Sequence, residues 1–144
     1  IQLMTRYVII RSSWIYGIGK DFLNEVLEAA ADPKVSTMEL WNNDRAVPTS
    51  AAELARVVKF FIDNDHYGIY HAVCSGGSCT RLEFAKEILR LAGKEDRLTV
   101  KVKDGTPEKY SVLDNMMLRL TGIEEPSGWR ETLASYMKET GGLE

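Results

Sequence analysis

The stretch YVIIRSSWIYG at residues 7–17 constrains the fold of this chain more than any other. Val8, Ile9 and Ile10 follow one another, so a strand that contains them is apolar on both faces. Such strands are typical of parallel sheets that helices cover on both sides. A polar turn follows, and open α/β sheets bind ligands just beyond the carboxyl ends of their strands. The pattern therefore predicts an α/β fold with a ligand site at residues 11–16.

Helices and strands are predicted to alternate along the rest of the chain, which also favours an α/β fold. Further strands are predicted at 35–41, 67–73 and 98–102 from their apolar runs or alternation. Each predicted helix begins at a residue whose side-chain oxygen can cap free backbone amides: Asp21, Ser50, Thr80, Asp114 and Ser127. Ser50 and Thr80 each precede a glutamate by three positions, which is the spacing of a capping box.

The helix after Ser50 has the clearest apolar face of the chain. Its members recur at helical spacing and are expected to face a core: Leu54, Val57, Val58, Phe61 and Ile62. Because burial of each such side chain contributes roughly 1.5–3 kcal/mol, we expect packing to stabilise this helix more than helix propensity does.

Composition excludes several classes of protein. A net charge of −3 over 144 residues gives no electrostatic reason to expect nucleic acid or an anionic membrane as partner. The sequence has neither an apolar run long enough to span a bilayer nor a visible secretory signal. Two cysteines, Cys74 and Cys79, are too few for a disulfide framework, so we expect a cytoplasmic location. His71 and these cysteines match no usual zinc spacing, and we predict no metal site.

Five segments in order resemble the dTDP-4-dehydrorhamnose reductases, members of the extended short-chain dehydrogenase/reductase superfamily. They are RSSWIYG (11–17), PTSAAELARVV (48–58), YHAVCSGGSCTRLEFAKEIL (70–89), YSVLDN (110–115) and WRETLASYM (129–137). The resemblance covers nearly the whole chain. It implies the C-terminal portion of an extended NAD(P)-binding Rossmann-like fold, with Rossmann strands and a small substrate-binding α/β subdomain.

The resemblance also implies a reaction for the parent protein. NADPH or NADH would reduce the C4 ketone of dTDP-4-dehydro-6-deoxy-L-mannose to give dTDP-L-rhamnose. In this superfamily the glycine-rich loop and the catalytic Tyr-x-x-x-Lys motif lie in the N-terminal half. We therefore assign no catalytic residue here and expect the chain alone to be inactive. Mg²⁺ is compatible with the family, but no residue here indicates it.

Residues 1–142 are expected to form the substrate-binding portion, with the N-terminal half absent, because the chain begins at Ile1 rather than Met. Leu143–Glu144 could be a vector scar or a natural terminus. Without their missing neighbours, strands 7–11 and 67–73 would have apolar edges that invite pairing with another chain. We accordingly expect a homodimer or a strand-exchanged assembly.

The resemblance assigns Trp14, Tyr16 and Arg45 to the substrate, and Ser12 and Ser13 to the nicotinamide pocket. An indole can pack on the apolar face of a deoxysugar. Taken alone, Trp14 would instead be a core anchor at a strand end. Arg45 stands where relatives have a different loop sequence, so it could pair with the nucleotide phosphates or lie solvated in a loop.

Two other functions fit the same residues. One is a non-catalytic regulatory or binding subunit built on this fold, which lacks the upstream catalytic motif. The other is a nucleotide-sugar epimerase or dehydratase of the same superfamily, which product analysis with candidate sugars would separate from a reductase.

Overall fold

A computed structural model describes residues 4–103, 105 and 109–141, and within them strands and helices alternate as predicted. The helices are α1 (Phe22–Ala31), α2 (Ala51–Asp63), α3 (Arg81–Leu91), α4 (Met116–Leu120) and α5 (Trp129–Glu139). The strands are β1 (Val8–Arg11), β2 (Ile15–Tyr16), β3 (Thr37–Leu40), β4 (Asp44–Ala46), β5 (Thr49–Ser50), β6 (Gly68–His71), β7 (Cys79–Thr80), β8 (Thr99–Val102) and β9 (Lys109–Tyr110). The proposed boundary at residue 142 and the pair Leu143–Glu144 lie outside the described residues.

Most strand pairs are parallel, as the sequence predicts for an α/β fold. β1 pairs with β6, β2 with β5 and β3 with β8, all in parallel. β4 pairs with β7 in antiparallel and with β9 in parallel. Each predicted strand is present with shorter bounds. Five further strands are not predicted, because strands of two or three residues are too short to show a periodicity: β2, β4, β5, β7 and β9.

Two hydrophobic clusters hold these elements together. The large core joins α1, α3 and α5, and its bulkiest members include Tyr16, Leu23, Phe84, Ile88, Trp129 and Leu133. The small core lies between α2, α4 and one face of the β1–β6 pair, and its buried members are Val57, Phe61, Tyr70, Ala72, Leu118 and Ile123. Phe84 lies at the centre of the large core, where its ring contacts those of Trp14, Tyr16, Phe22 and Trp129.

Two of the five predicted helix caps are confirmed. The Asp21 carboxylate accepts a hydrogen bond from the Asn24 amide at 2.9 Å. Thr80 and Glu83 form a complete capping box at the start of α3. Ser50 occupies the cap position of α2 but makes no side-chain cap bond. The expected partner, Glu53, instead accepts a hydrogen bond from the Ser127 amide at 2.9 Å.

The predicted caps of α4 and α5 are wrong by one residue. Asn115 precedes α4 rather than Asp114, and Gly128 precedes α5 rather than Ser127. The Asn115 amide bonds the backbone of Val73 twice, accepting from its N–H at 2.9 Å and donating to its carbonyl at 2.7 Å. A buried side chain therefore supplies the backbone pairing that a neighbouring strand would otherwise give at this position.

The predicted apolar face of α2 is only partly buried. Val57 and Phe61 belong to the small core, and Leu54 packs against it. Val58 and Ile62 are 38% and 78% exposed. Spacing predicts which side chains share a helix face, but it does not show how much of that face another element covers.

No helix of the described residues is both long enough and apolar enough to cross a membrane.

Candidate functional site

Trp14 lies in the turn that follows β1, and its backbone is unusual. Its φ is +38°, in the left-handed region that a bulky side chain seldom adopts. The Thr49 amide of β5 donates a hydrogen bond to the Trp14 carbonyl at 3.1 Å, which holds the turn in place. Because such a conformation costs on the order of 1–3 kcal/mol, its persistence here points to a role for the side chain.

The Trp14 ring contacts both an aromatic ring and a cation. The Phe84 ring is nearly parallel to it, with the centroids 6.5 Å apart. The guanidinium carbon of Arg81 lies 4.1 Å from the Trp14 centroid and 4.6 Å from that of Phe22. Attraction between the cation and the ring quadrupoles stabilises this arrangement. Part of the indole remains accessible, since Trp14 as a residue is only half-buried.

Arg81 is paired with a carboxylate as well as with the two rings. Its Nε lies 3.8 Å from Oδ2 of Asp44, and both side chains are largely buried. Burial lowers the pKa of the Arg81 guanidinium, and the Asp44 charge opposes that shift. The other carboxylate oxygen of Asp44 is buried and has no hydrogen-bond partner among the described residues.

Arg45 follows Asp44 in β4 and is held by polar contacts of its own. Its guanidinium donates to the Ser78 carbonyl at 3.1 Å and to the Ser78 hydroxyl at 3.3 Å. It also lies 3.6 Å from the Glu83 carboxylate. Arg45 is therefore held against the turn before α3 rather than extended into solvent. We call the group of Trp14, Phe22, Asp44, Arg45 and Arg81 the Trp14 cluster.

Tyr16 lies apart from the Trp14 cluster, in the large core. It is 2% exposed, and its hydroxyl shares a hydrogen bond of 3.0 Å with the Thr132 hydroxyl. Burial raises the pKa of this phenol above its usual range. Its ring also meets that of Tyr136 edge-on. Little of Tyr16 is therefore accessible in this chain, and its assignment to the substrate stays a prediction.

Ser12 and Ser13 are half-buried at the carboxyl end of β1. The Ser12 hydroxyl oxygen is buried and has no hydrogen-bond partner among the described residues. A buried hydroxyl is normally satisfied by protein or water, so an unpaired one can serve a ligand group. The assignment of both serines to the nicotinamide pocket stays a prediction.

Tyr16 and Lys20 stand four residues apart, which is the spacing of the Tyr-x-x-x-Lys motif. The prediction that this sequence lacks the motif does not take the pair into account. On a helix this spacing would put both side chains on one face, where the lysine could lower the pKa of the phenol. Here Tyr16 belongs to β2 and is buried, whereas Lys20 is exposed in the loop before α1. Burial moves the pKa of Tyr16 upwards instead. The arrangement does not suit proton transfer.

Neither cysteine has the surroundings of a reactive thiol. Burial raises the pKa of Cys79 to about 12, and it also raises the pKa of Cys74. Nucleophilic and metal-binding thiols need the opposite shift. In the part of the chain that the structure describes, no three His, Cys, Asp or Glu side chains are grouped to hold a metal ion.

Phe22, Asp44 and Arg81 are the members of the Trp14 cluster that are not predicted as site residues, and for Asp44 and Arg81 the strand pairing offers a signal. The signal is the register of β4 against β7, in which Arg45 faces Thr80 and Ala46 faces Cys79. This register brings the next residues, Asp44 and Arg81, close enough for their side chains to lie 3.8 Å apart. Neither strand is long enough to be recognised before the structure is known.

Comparison with known proteins identifies the fold. The chain superposes on the structure of a dTDP-4-dehydrorhamnose reductase from Bacillus anthracis in complex with NADP, with a TM-score of 0.87 and 29% sequence identity. The match covers 96% of this chain and 50% of the reductase chain. Epimerases and a dehydratase that act on sugar nucleotides share the fold at lower identity. The chain is thus an α/β protein with the fold of part of the extended short-chain dehydrogenase/reductases.

Sequence comparison defines the family more closely. The profile described as "RmlD substrate binding domain" matches residues 1–141, and the chain belongs to this family. A spore coat polysaccharide biosynthesis protein, SpsK of Bacillus subtilis, is 34% identical over 96% of this chain and 50% of its own. A dTDP-4-dehydrorhamnose reductase of Streptomyces griseus is 31% identical over 87% of this chain and 44% of its own. The chain spans about half the length of these relatives.

Proposed function

We propose that this chain is the substrate-binding part of an NAD(P)H-dependent dTDP-4-dehydrorhamnose reductase. The parent protein would reduce the C4 ketone of dTDP-4-dehydro-6-deoxy-L-mannose in the cytoplasm and release dTDP-L-rhamnose. Family membership and the reductases among the relatives support this proposal. The observation that carries it is the strained turn at Trp14, which holds an indole at the carboxyl end of β1, where open α/β sheets bind ligands.

Trp14 would orient the sugar by packing against its apolar face. Its half-buried ring and its fixed backbone suit that role, because a preorganised platform loses little entropy when a ligand binds. Arg45 would pair with the phosphates of the nucleotide, though its bonds to Ser78 and its ion pair with Glu83 would compete.

Ser12 would hold the carboxamide of a nicotinamide cofactor, and its unpaired buried hydroxyl fits such a polar group. When bound, the cofactor supplies the hydride for the reduction. Ser13, at the same strand end, would line the same pocket. We propose that the remaining cofactor contacts and the catalytic tyrosine come from an N-terminal half that is not in this sequence. The greater length of the relatives supports this division.

Calorimetric titration of the chain with nucleotide sugars tests the substrate class. We expect dTDP-L-rhamnose to bind at least about tenfold more tightly than UDP-glucose or GDP-mannose, a difference of about 1.4 kcal/mol. Equal affinity for all three would contradict the dTDP-sugar assignment. Preference for UDP-glucose would favour an epimerase instead.

The coding sequence upstream of Ile1 tests the catalytic part of the proposal. A glycine-rich strand–helix turn followed by Tyr-x-x-x-Lys on a helix is the expected result. A frame in which these motifs are absent would make the chain a binding or regulatory module.

A further inference from the structure

Arg81 is the first residue of α3, and two separate features fix its position. The capping box of Thr80 and Glu83 anchors the start of the helix, with bonds of 2.8 and 3.1 Å between their side chains and backbone amides. Next to the paired residues Arg45 and Thr80 of β4 and β7, the charged groups of Asp44 and Arg81 lie 3.8 Å apart. The guanidinium therefore extends from a rigid base.

The Arg81 guanidinium contacts Trp14, which is the one non-glycine residue of the described chain with a positive φ. It covers Trp14 at 4.1 Å and Phe22 at 4.6 Å, with three-quarters of the Arg81 side chain buried. Cation–π attraction is stronger where water is excluded. One part of the indole surface is thus occupied by Arg81, and only the remainder is open to a ligand.

The charges around Arg81 favour a role in positioning over direct binding of an anion. Asp44 pairs with Arg81, and Glu83, beside the Trp14 cluster, pairs with Arg45, so both cations of the cluster have a carboxylate partner. The second Asp44 oxygen has no hydrogen-bond partner among the described residues, which leaves Arg81 as the cation that compensates this buried carboxylate.

We propose that Arg81 is a positioning residue: anchored by Asp44, its guanidinium fixes the orientation of the Trp14 ring at the candidate ligand site. That the ring then meets a deoxysugar rests on the proposed function, whereas its fixed orientation does not. Arg81 would act on a ligand through Trp14, by keeping the open part of the indole in one place.

The chain offers matched controls, because each of its three tryptophans has a cation over the ring. Arg130 lies 4.2 Å from the Trp129 centroid, and Lys103 lies 4.5 Å from that of Trp41. The indole N–H groups give separate signals in proton–nitrogen NMR. Their heteronuclear NOE reports how rigidly each ring is held on the fast timescale. The experiment compares the unmodified chain with R81Q, R81K, D44N and R130Q.

In R81Q we expect the NOE of the Trp14 indole to fall while those of Trp41 and Trp129 stay unchanged. R81K, which keeps the cation, should restore most of the loss, and D44N should give an intermediate value. R130Q should leave Trp14 as it is in the unmodified chain. An unchanged Trp14 signal in folded R81Q overturns the proposal. If R81Q fails to fold, D44N decides: an unchanged Trp14 signal in that variant overturns it too.

A titration with dTDP-L-rhamnose adds the functional consequence. R81Q should weaken binding about fivefold, which corresponds to one cation–π contact of ordinary strength, and R81K should weaken it less. A loss in both R81Q and R81K, with Trp14 as rigid as before, would instead make Arg81 a direct phosphate ligand and overturn the proposal. If the unmodified chain binds no dTDP-L-rhamnose, the proposed function fails, and the NMR comparison alone decides the role of Arg81.

Discussion

The large core and the small core differ in how completely their surroundings enclose them. In the large core, α1, α3 and α5 bury the aromatic rings around Phe84, and Trp129 is fully inaccessible. In the small core, α2 and α4 cover only one face of the β1–β6 pair. On the other face Ile9 pairs with Ile69, which is 42% exposed.

The candidate site depends on the enclosed large core. Phe84 and Phe22 of the large core support the ring of Trp14 and the guanidinium of Arg81. The open sheet face combines the apolar pair Ile9 and Ile69 with Arg11 and His71.

The largest expected effect comes from removing the ring at the centre of the large core. Phe84→Ala should lower the free energy of unfolding by about 3–5 kcal/mol, because it leaves a cavity among aromatic neighbours. Urea denaturation followed by circular dichroism measures this. Phe60→Ala, a half-buried ring at the edge of the small core, is the control and should cost less than half as much. Equal losses would contradict the contrast between the two cores.

The next effect concerns Asn115, which links α4 to the end of β6. Asn115→Ala should cost about 1–3 kcal/mol, since the buried N–H and carbonyl of Val73 would lose their partner. Amide hydrogen exchange at Val73 should accelerate in the same variant. Asp114→Ala removes only exposed ion-pair contacts with Arg119 and serves as the control. If the two variants are equally stable, the bridging role is refuted.

Substitutions at the two predicted capping boxes, at Ser50 and at Thr80, should have smaller effects on stability that differ from each other. Thr80→Ala should cost about 0.5–2 kcal/mol, because its hydroxyl caps α3. Ser50→Ala should cost less, since the Ser50 side chain makes no cap bond. The two midpoints of urea denaturation test this difference. A larger loss at Ser50 would show that its capping box forms in solution.

The smallest effect on stability is expected on the open sheet face. Ile69→Lys should change the free energy of unfolding by no more than about 0.5 kcal/mol. It should also abolish the self-association that we predict for the chain, because a charge would lie among the apolar contacts. Sedimentation velocity at high concentration measures the assembly state. An unmodified chain that stays monomeric would contradict the predicted homodimer or strand exchange.

Much of the fold could be predicted from the sequence, because it depends on local signals. The caps at Asp21 and Thr80 and the strand at 67–73 follow from side-chain chemistry and periodicity over a few residues. Ser50 is the cap residue of α2 as predicted, but its capping box does not form, and α4 is preceded by Asn115 instead of the predicted Asp114. These features depend on tertiary contacts: the Glu53 carboxylate accepts a hydrogen bond from the Ser127 amide, and the Asn115 side chain accepts one from the Val73 amide.

The candidate site also combines features that local sequence predicts with features that depend on tertiary contacts. The turn at Trp14 is recognisable from its position after an apolar strand. The contacts of its ring are not, because they depend on the pairing of two very short strands, β4 and β7. Nor does the sequence show which side chain of β2 faces the core: Ile15 is exposed, whereas Tyr16 is buried in the large core.

Saturation-transfer difference NMR with dTDP-L-rhamnose tests the central claim, that Trp14 forms the sugar platform, most directly. In the unmodified chain we predict saturation at the methyl group and the apolar ring protons of the sugar. Trp14→Ala should abolish that transfer, whereas Trp41→Ala, which removes a tryptophan outside the Trp14 cluster, should preserve it. Undiminished transfer to the sugar in Trp14→Ala, or no transfer in the unmodified chain, would contradict the account.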